Sequence, residues 1–242
     1  MNRSIFYGAD IETLKLPFIG SSLSEEKTID YFFSIDGRNS GVPSSLKTLI
    51  VEGGRITREN FPNYYSITAV IFGEKVTSIA DAALHSFGEL KTLIAPNVDI
   101  ITDSSGQSLG SLKYFFIGLG NTYQDAISIS RQLTTLGVFD GDIPNTFYNS
   151  TNDKVHISTM FLPKNATALD AYMVTSNSKI FYNGSEEDWK SVKVSNLYDT
   201  SRVVYYYSET NPYENSTASS SAKYWHYSDE FYTCEIWQEA SE

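Results

Sequence analysis

A repeat of about 22 residues is the feature that most restricts how this chain can fold. A strand-like pattern recurs with apolar side chains at its first, fourth and sixth positions, and successive first positions lie 35, 21, 23, 22, 21 and 24 residues apart. All 21 of these positions are apolar, although only 41% of the 242 residues are hydrophobic. The seven triplets are Ile11, Leu14, Leu16; Leu46, Leu49, Val51; Ile67, Val70, Phe72; Leu90, Leu93, Ala95; Leu112, Phe115, Ile117; Leu133, Leu136, Val138; and Ile157, Met160, Leu162.

Such a period predicts a solenoid. Each repeat would supply one short parallel strand and a return segment, and neighbouring repeats must stack because one unit cannot bury its apolar edge alone. Two degenerate copies keep only the inner pair, Ile180 with Tyr182 and Val204 with Tyr206. The return segments lack a long helical period, so we expect them to be mostly irregular.

One repeat also carries a family resemblance. The segment VTSIADAALHSFGELKTLIAP resembles the repeat of the bacterial BspA-like leucine-rich-repeat proteins, V-T-S-I-G-x-x-A-F-x-x-C-x-x-L-x-x-I-x-I-P. Ala80, Leu84 and Phe87 stand where that repeat has glycine, phenylalanine and cysteine. The positions that fit it are Val76, Thr77, Ser78, Ile79, Ala83, Leu90, Leu93 and Pro96. Further segments similar to such proteins are LPFIGSSL, VPSSLKTLIVEGG, KIFYNGSEEDWKSV, VYYYSETNPY and YWHYSDE.

The resemblance implies a fold and a broad role. The expected fold is an α/β-type but β-rich solenoid, a right-handed leucine-rich-repeat superhelix with one short parallel strand per repeat. Proteins of this family are mostly secreted or displayed on the bacterial cell surface, so we expect an extracellular location, with a signal sequence and further repeats upstream. The implied function is recognition and adhesion without catalysis, directed at a host or matrix protein or a glycan.

The chain divides into three predicted parts. Residues 1–208 form the solenoid, with an insertion at about 24–38 that is expected to be a protruding loop or short hairpin, and with degenerate repeats at 177–208. Residues 209–223 are a flexible linker rich in Ser and Asn, and residues 224–242 are an aromatic cap over the last repeat. Ser185 with Asp188 predicts the start of a short helix.

Charge and composition exclude several classes of function. Lys and Arg number 18 against 29 Asp and Glu, giving a net charge of −11, which disfavours nucleic acid and anionic membrane surfaces as partners. The single cysteine, Cys234, rules out an intrachain disulfide. No apolar run is long enough to span a bilayer, so we expect no membrane insertion.

No catalytic or cofactor motif stands out, and we expect neither an enzyme nor a bound cofactor or metal. The three histidines lack metal-ligand spacing, and no nucleophile elbow or phosphate-binding loop is present. Asp140 and Asp142 flank Gly141, which favours a turn over a calcium loop. The three consecutive acids before Trp189 are explained by a helix N-terminus better than by a cation site.

The fifth position of the repeat predicts a binding surface. Positions one, four and six should point into the core, so positions three and five should point outward. Position five is mostly apolar, and exposed apolar stripes often mark interaction surfaces. The candidate surface is this row together with Tyr114 from position three, and comprises Ile50, Ile71, Ile94, Tyr114, Phe116, Phe161, Phe181 and Tyr205. Alternatively, these side chains only stabilise each other along the ladder, or another segment covers them.

Two other functions remain open from the residues. The first is a structural spacer or scaffold without a ligand of its own, which requires the apolar row to be covered. A carbohydrate-binding module would instead use the C-terminal aromatic side chains as a glycan platform, and those candidates are Tyr224, Trp225 and Trp237. That alternative requires exposed rings beside carboxylates or amides.

Overall fold

The structure is a computed structural model of the 242-residue chain. It describes residues 5–22, 25–33, 41–63, 65–76, 78–80, 83–98, 111–118, 127–129, 132–143, 147–149, 157–170, 173–195, 202–214, 221–228 and 233–238. These residues belong to two compact units, the first made of 1–133 and 146–155 and the second of 134–145 and 156–242. Each unit is described separately.

The first unit holds nine strands in its described residues and two 3-10 helices, at Ile29–Phe32 and Arg58–Asn60. Five of the strands form parallel pairs in the order β1-β4-β5-β6-β7. The strands are β1 Thr13–Leu16, β2 Gly20–Ser22, β3 Glu25–Glu26, β4 Thr48–Gly53, β5 Ala69–Lys75, β6 Thr92–Ala95, β7 Tyr114–Ile117, β8 Ile127–Ile129 and, from the second stretch of this unit, β10 Phe147–Asn149. Strands β8 and β10 form a separate parallel pair, whereas β2 and β3 are antiparallel.

The second unit repeats the same arrangement. Its strands follow the order β9-β11-β13-β15-β16-β17, and all of these pairs are parallel except β16 with β17. Strands β12 and β14 pair separately, and the only α-helix of the described residues is α1, Glu186–Trp189. The strands are β9 Thr135–Val138, β11 Ile157–Leu162, β12 Ala168–Asp170, β13 Val174–Tyr182, β14 Lys193–Ser195, β15 Val203–Tyr207, β16 Lys223–Tyr227 and β17 Cys234–Ile236.

The repeat register predicted from the sequence is confirmed. Thr13 pairs with Thr48, and Thr48 with Ala69, so third positions align from strand to strand. The degenerate copies keep this alignment, since Ile180 pairs with Val204. Of the 21 apolar positions in the seven triplets, all but Ile11 are buried.

Both units are therefore strand-rich parallel β-solenoids with very little helix in the described residues. The structure therefore confirms the predicted solenoid and the scarcity of helix in its return segments. The finer assignments, α/β class and a leucine-rich repeat in particular, stay predictions.

Close backbone approach explains the glycine that follows β7. A Cβ atom built on Gly118 would lie 1.9 Å from the carbonyl oxygen of Pro96, and the Gly118 amide donates to Ala95 O at 2.9 Å. Only a residue without a side chain allows this contact between neighbouring coils. Gly118 thus has a structural role where β7 ends.

The insertion near the N-terminus is partly built into the core. Strands β2 and β3 pair antiparallel, but Ile29, Asp30 and Phe32 of the following 3-10 helix are buried, so a protruding loop is the wrong description of 29–33. Asp30 accepts hydrogen bonds from Tyr65 Oη at 2.8 Å and Asn63 Nδ2 at 3.0 Å. Burial, followed by the bond to Asp30, raises the pKa of Tyr65. The rest of the predicted insertion, 34–38 and residue 24, lies outside the described residues.

Candidate functional site

In the first unit the fifth-position side chains are largely covered. Ile50, Ile94 and Phe116 are 5%, 6% and 7% exposed, and Ile71 is half-buried. The expectation that this row faces solvent is therefore wrong for those three residues. Tyr114 differs, because 47% of its surface is exposed. It is the one member of the predicted binding surface that the structure leaves open to solvent.

In the second unit the same row is an aromatic stack. Phe161 lies on Phe181 with ring centroids 4.6 Å apart, and Phe181 lies on Tyr205 at 4.9 Å, both pairs nearly coplanar. Trp225 meets both phenylalanine rings edge-on at 5.6 Å and is itself fully buried. Its indole nitrogen donates to Tyr182 O at 3.1 Å. The predicted exposure of Phe161, Phe181 and Tyr205 is wrong because the aromatic segment of this unit packs over them.

The register explains how Trp225 reaches this row. Trp225 pairs with Tyr207, two residues after Tyr205, so all three side chains project from one face of the sheet. A large ring placed there lies over the fifth-position stack. A sequence pattern within one repeat cannot show this, because the covering side chain comes from a different segment.

The three residues of the predicted glycan platform lie in different surroundings. Trp225 cannot act as a platform, since it has no exposed surface. Trp237 is half-buried, stacks on His226 at 3.8 Å and donates from Nε1 to Ser208 O at 2.9 Å. Tyr224 is half-buried and lines a groove. The three rings therefore do not form one platform.

The groove at Tyr224 is the candidate functional site. It lies within the second unit, between α1 and the strands β15 and β16, and has a volume of about 440 Å³. This volume falls within the range of small-ligand pockets. Its lining combines aromatic, acidic and hydroxyl side chains, and consists of Ser185, Glu186, Glu187, Lys190, Tyr207, Ser208, Pro212 and Tyr224.

The wall formed by α1 is fixed by the predicted helix start, which the structure confirms. Ser185 Oγ accepts from the Asp188 amide at 3.1 Å, and Asp188 Oδ2 accepts from the Ser185 amide at 3.0 Å. Together these bonds form a capping box. Trp189 packs edge-on against Tyr182 at 5.2 Å, and Val192 is buried. The helix is thereby anchored to the solenoid with its acidic turn toward the groove.

Tyr224, which lines the groove, is held in place by two further tyrosines. Tyr224 makes edge contacts with Tyr206 at 6.4 Å and Tyr213 at 5.8 Å. Tyr213 Oη also donates to Ala222 O at 3.2 Å. The two described ends of the predicted linker are therefore packed together, while 215–220 lie outside the described residues.

The charges along the groove are unequally compensated. Glu187 forms an ion pair with Lys190, and Lys164 lies 3.5 Å from Asp188. Hydrogen bonds from Ser185, and then Lys164, hold the pKa of Asp188 below its usual range. Glu186 is exposed and makes no hydrogen bond or ion pair with the described residues, but after the hydrogen bond and charge of Glu187 its own charge also raises the pKa of Lys190. Burial, the charge of Glu186 and Tyr224 together raise the pKa of Tyr206.

The Asp140-Gly141-Asp142 segment forms the turn that its sequence favours. Asp142 accepts from Thr167 Oγ1 at 2.6 Å, from the Ala168 amide at 2.9 Å and from the Thr167 amide. Asn165 bonds to Asp140 and to the Gly141 amide. Both carboxylates are therefore used to join neighbouring coils. No group of three or more metal-binding side chains occurs within the described residues.

These bonds give a pH-dependent stability. Burial tends to raise the pKa of Asp142, but the hydrogen bonds from Thr167 and Ala168 outweigh it and lower the pKa. A carboxyl with a lowered pKa stabilises the fold above its unfolded value and loses that effect as the pH falls through its folded value. We expect Asp142→Ala to lower the free energy of unfolding by about 1–2 kcal/mol at pH 7, and by progressively less as the pH falls below about 4 toward the lowered folded pKa. Urea titrations of both proteins at a series of pH values measure this difference. A penalty that stays constant with pH would contradict it.

No protein-family model, curated protein or solved structure matches the chain. None of the described helices is long and apolar enough to cross a membrane.

The sequence analysis missed most of the groove. Its lining comes from three segments, at 185–190, 207–212 and 224, which are brought together only when successive coils stack. Glu186 and Glu187 were interpreted solely as helix-start residues.

The sequence analysis also missed a group of exposed apolar side chains in the first unit. Ile5, Tyr7 and Tyr31 are 78%, 60% and 47% exposed near its N-terminus.

Proposed function

We propose that this chain is a non-catalytic recognition and adhesion module of the cell surface or extracellular space, and that it binds a host or matrix protein or a glycan. In this proposal the solenoid is a leucine-rich repeat of the BspA-like kind. The observation that carries the binding role is the groove of about 440 Å³, whose lining includes Tyr224 together with Glu186 and Glu187. Aromatic side chains and a few well-placed polar groups are typical of recognition sites.

The groove replaces the apolar row as the favoured contact surface. Binding through the fifth-position row would require Phe116, Phe161 and Phe181 to leave their buried positions, at 7%, 5% and 6% exposure. The groove side chains need no such rearrangement. Tyr114 remains a candidate for a further contact, because it is already exposed.

Two other functions each have one supporting observation. The covered apolar row favours a spacer or scaffold, because that role requires no open surface. The position of Tyr224 in the groove, beside Glu186 and Glu187, favours carbohydrate binding. Trp225 and Trp237 do not add to that platform, since the first is buried and the second stacks on His226.

A binding screen of the purified chain tests the proposal. The folded protein would be passed over host matrix proteins and mucin-type glycans, with the heat-unfolded chain as a control for non-specific adsorption. We expect saturable binding of the folded chain to at least one of these surfaces. Binding to none of them, by a chain whose circular dichroism shows an intact fold, would contradict the recognition role and favour the spacer.

A further inference from the structure

We infer that the first unit binds an acidic sugar, a pyranose that carries a carboxylate or a sulfate, where strands β6 and β7 begin. The site consists of Lys91, Thr92, Lys113 and Tyr114. It is a contact in addition to the groove, which belongs to the second unit, and it rests on the proposed recognition function. Three features support it: the alignment of these residues by the backbone, the charge of the two lysines, and the exposed ring beside them.

The backbone brings the four residues together on one face of the sheet. Lys91 O accepts hydrogen bonds from the amides of both Lys113 and Tyr114, at 2.8 and 3.0 Å. The two lysines therefore occupy the same position of the repeat in neighbouring coils. Thr92 pairs with Tyr114 in the next register position. Both lysines are exposed and Tyr114 is 47% exposed, so the group faces solvent.

The lysine pair places two like charges side by side. Neighbouring strands lie about 4.8 Å apart, and like charges opposite each other on such strands repel. Lys91 makes no side-chain hydrogen bond or ion pair with the described residues. Glu89, an exposed acid two residues earlier, makes no ion pair in the described part of the chain either. An anion held by the two ammonium groups would relieve the repulsion between them.

The side chains beside this charge favour a sugar over a free anion. The ring of Tyr114 contacts no other aromatic side chain within the described residues, so its apolar face is open to a pyranose ring. Thr92 is half-buried, and its hydroxyl makes no hydrogen bond in that part of the structure. It can therefore donate to, or accept from, a sugar hydroxyl. Apolar contact, hydroxyl and positive charge together match an acidic pyranose.

The charge of the whole chain favours a short acidic sugar over a long polyanion. A net charge of −11 repels an extended polymer that carries many negative charges. A single anionic group close to Lys91 and Lys113 is attracted nevertheless, because charges beyond a screening length of about 8 Å act weakly at physiological salt. An acidic protein side chain could pair with the lysines, but it has no ring to cover Tyr114.

Titrations with small sugars, followed by two-dimensional NMR, test this assignment. The probes are methyl β-glucuronide and glucose 6-sulfate, with methyl β-glucoside as the neutral analogue. We expect saturable shifts of Lys91, Lys113 and Tyr114 with at least one acidic sugar, and at least about tenfold weaker binding of the glucoside. Comparing the two acidic sugars identifies the anion that the site prefers. No saturable binding of either acidic sugar, or equal binding of the glucoside, would overturn the assignment.

A matched pair of lysine variants locates the site. Lys91→Gln removes a charge from the pair, and Lys75→Gln removes one from another exposed position of the same unit. We expect Lys91→Gln to weaken binding of the acidic sugar by about tenfold and Lys75→Gln to leave it unchanged. Equal effects would show general charge attraction and overturn the assignment. Both positions are exposed, so melting curves should match the parent.

The contribution of the ring is measured separately from that of the charge. Tyr114→Ser should weaken binding of the acidic sugar by about fivefold. Sodium sulfate is the probe for charge alone, and it should bind the parent more weakly than glucose 6-sulfate and be unaffected by Tyr114→Ser. Equal binding of sodium sulfate and glucose 6-sulfate by the parent would reduce the site to an anion site and overturn the sugar assignment.

Failure here is distinguishable from failure of the recognition role. If the parent binds a matrix protein or a mucin-type glycan in the screen but neither acidic sugar shifts Lys91 and Tyr114, the recognition function stands and this assignment falls. If neither the screen nor the sugar titrations give binding, both proposals fail together.

Discussion

Trp225→Ala is expected to lower the free energy of unfolding by about 3–5 kcal/mol, the usual cost of deleting a buried large aromatic side chain. Trp225 has no exposed surface and contacts Phe161, Phe181 and Tyr207, at centroid distances of 5.6, 5.6 and 5.4 Å. Its removal would open a cavity over the aromatic stack and leave Tyr182 O without its indole donor. Urea denaturation followed by far-ultraviolet circular dichroism measures the effect without depending on tryptophan fluorescence.

Trp237→Ala is the matched control for that variant. It deletes the same side chain from the same C-terminal region, but Trp237 is half-buried and contacts mainly His226 and Ser208. We expect it to cost about 1 kcal/mol, the value of one hydrogen bond and a partly exposed ring contact. Equal costs for both variants would contradict the position of Trp225 over the stack.

Phe116→Ser is expected to destabilise the protein by about 3–5 kcal/mol, whereas Tyr114→Ser should cost less than about 1 kcal/mol. Both residues lie in β7, two positions apart, and so project from the same face of the sheet. They differ in exposure, since Phe116 is 7% and Tyr114 is 47% exposed. Urea denaturation midpoints compare them directly. A mild effect of Phe116→Ser would mean that its ring faces solvent, and would restore the fifth-position row as a candidate binding surface.

The strands and their register could be predicted because they depend on a local pattern. Side chains at the first, fourth and sixth positions of a repeat meet the core of every coil, and a one-residue slip would expose them. Leu49 and Val70 are fully buried and paired with each other for this reason. The helix start at Ser185 was predictable in the same way, because a capping box is defined within four residues.

The exposed or buried state of the outer face could not be predicted from that pattern. Whether Phe181 is open depends on the position of Trp225, which lies 44 residues later in the chain. The insertion shows a related limit, since its polar start predicted a protruding loop. Ile29, Phe32 and Phe33 are spaced for one buried face, and that apolar spacing was the signal that could have predicted a packed segment.

The groove was the least predictable feature for the same reason. Glu186, Tyr207 and Tyr224 lie in three segments, and each has an ordinary local explanation as a helix-start acid or a strand aromatic residue. Only the stacking of coils brings them to one cavity.

Carboxyl footprinting of the chain with and without the partner found in the binding screen is the most direct test of recognition through the groove. Carbodiimide labelling, read by mass spectrometry, reports the accessibility of each exposed acid. Bound partner should protect Glu186 strongly while leaving Glu89 and Glu74, which are exposed in the first unit, as reactive as before. Protection of the first-unit acids with Glu186 still fully reactive would place the contact surface elsewhere and contradict recognition through the groove.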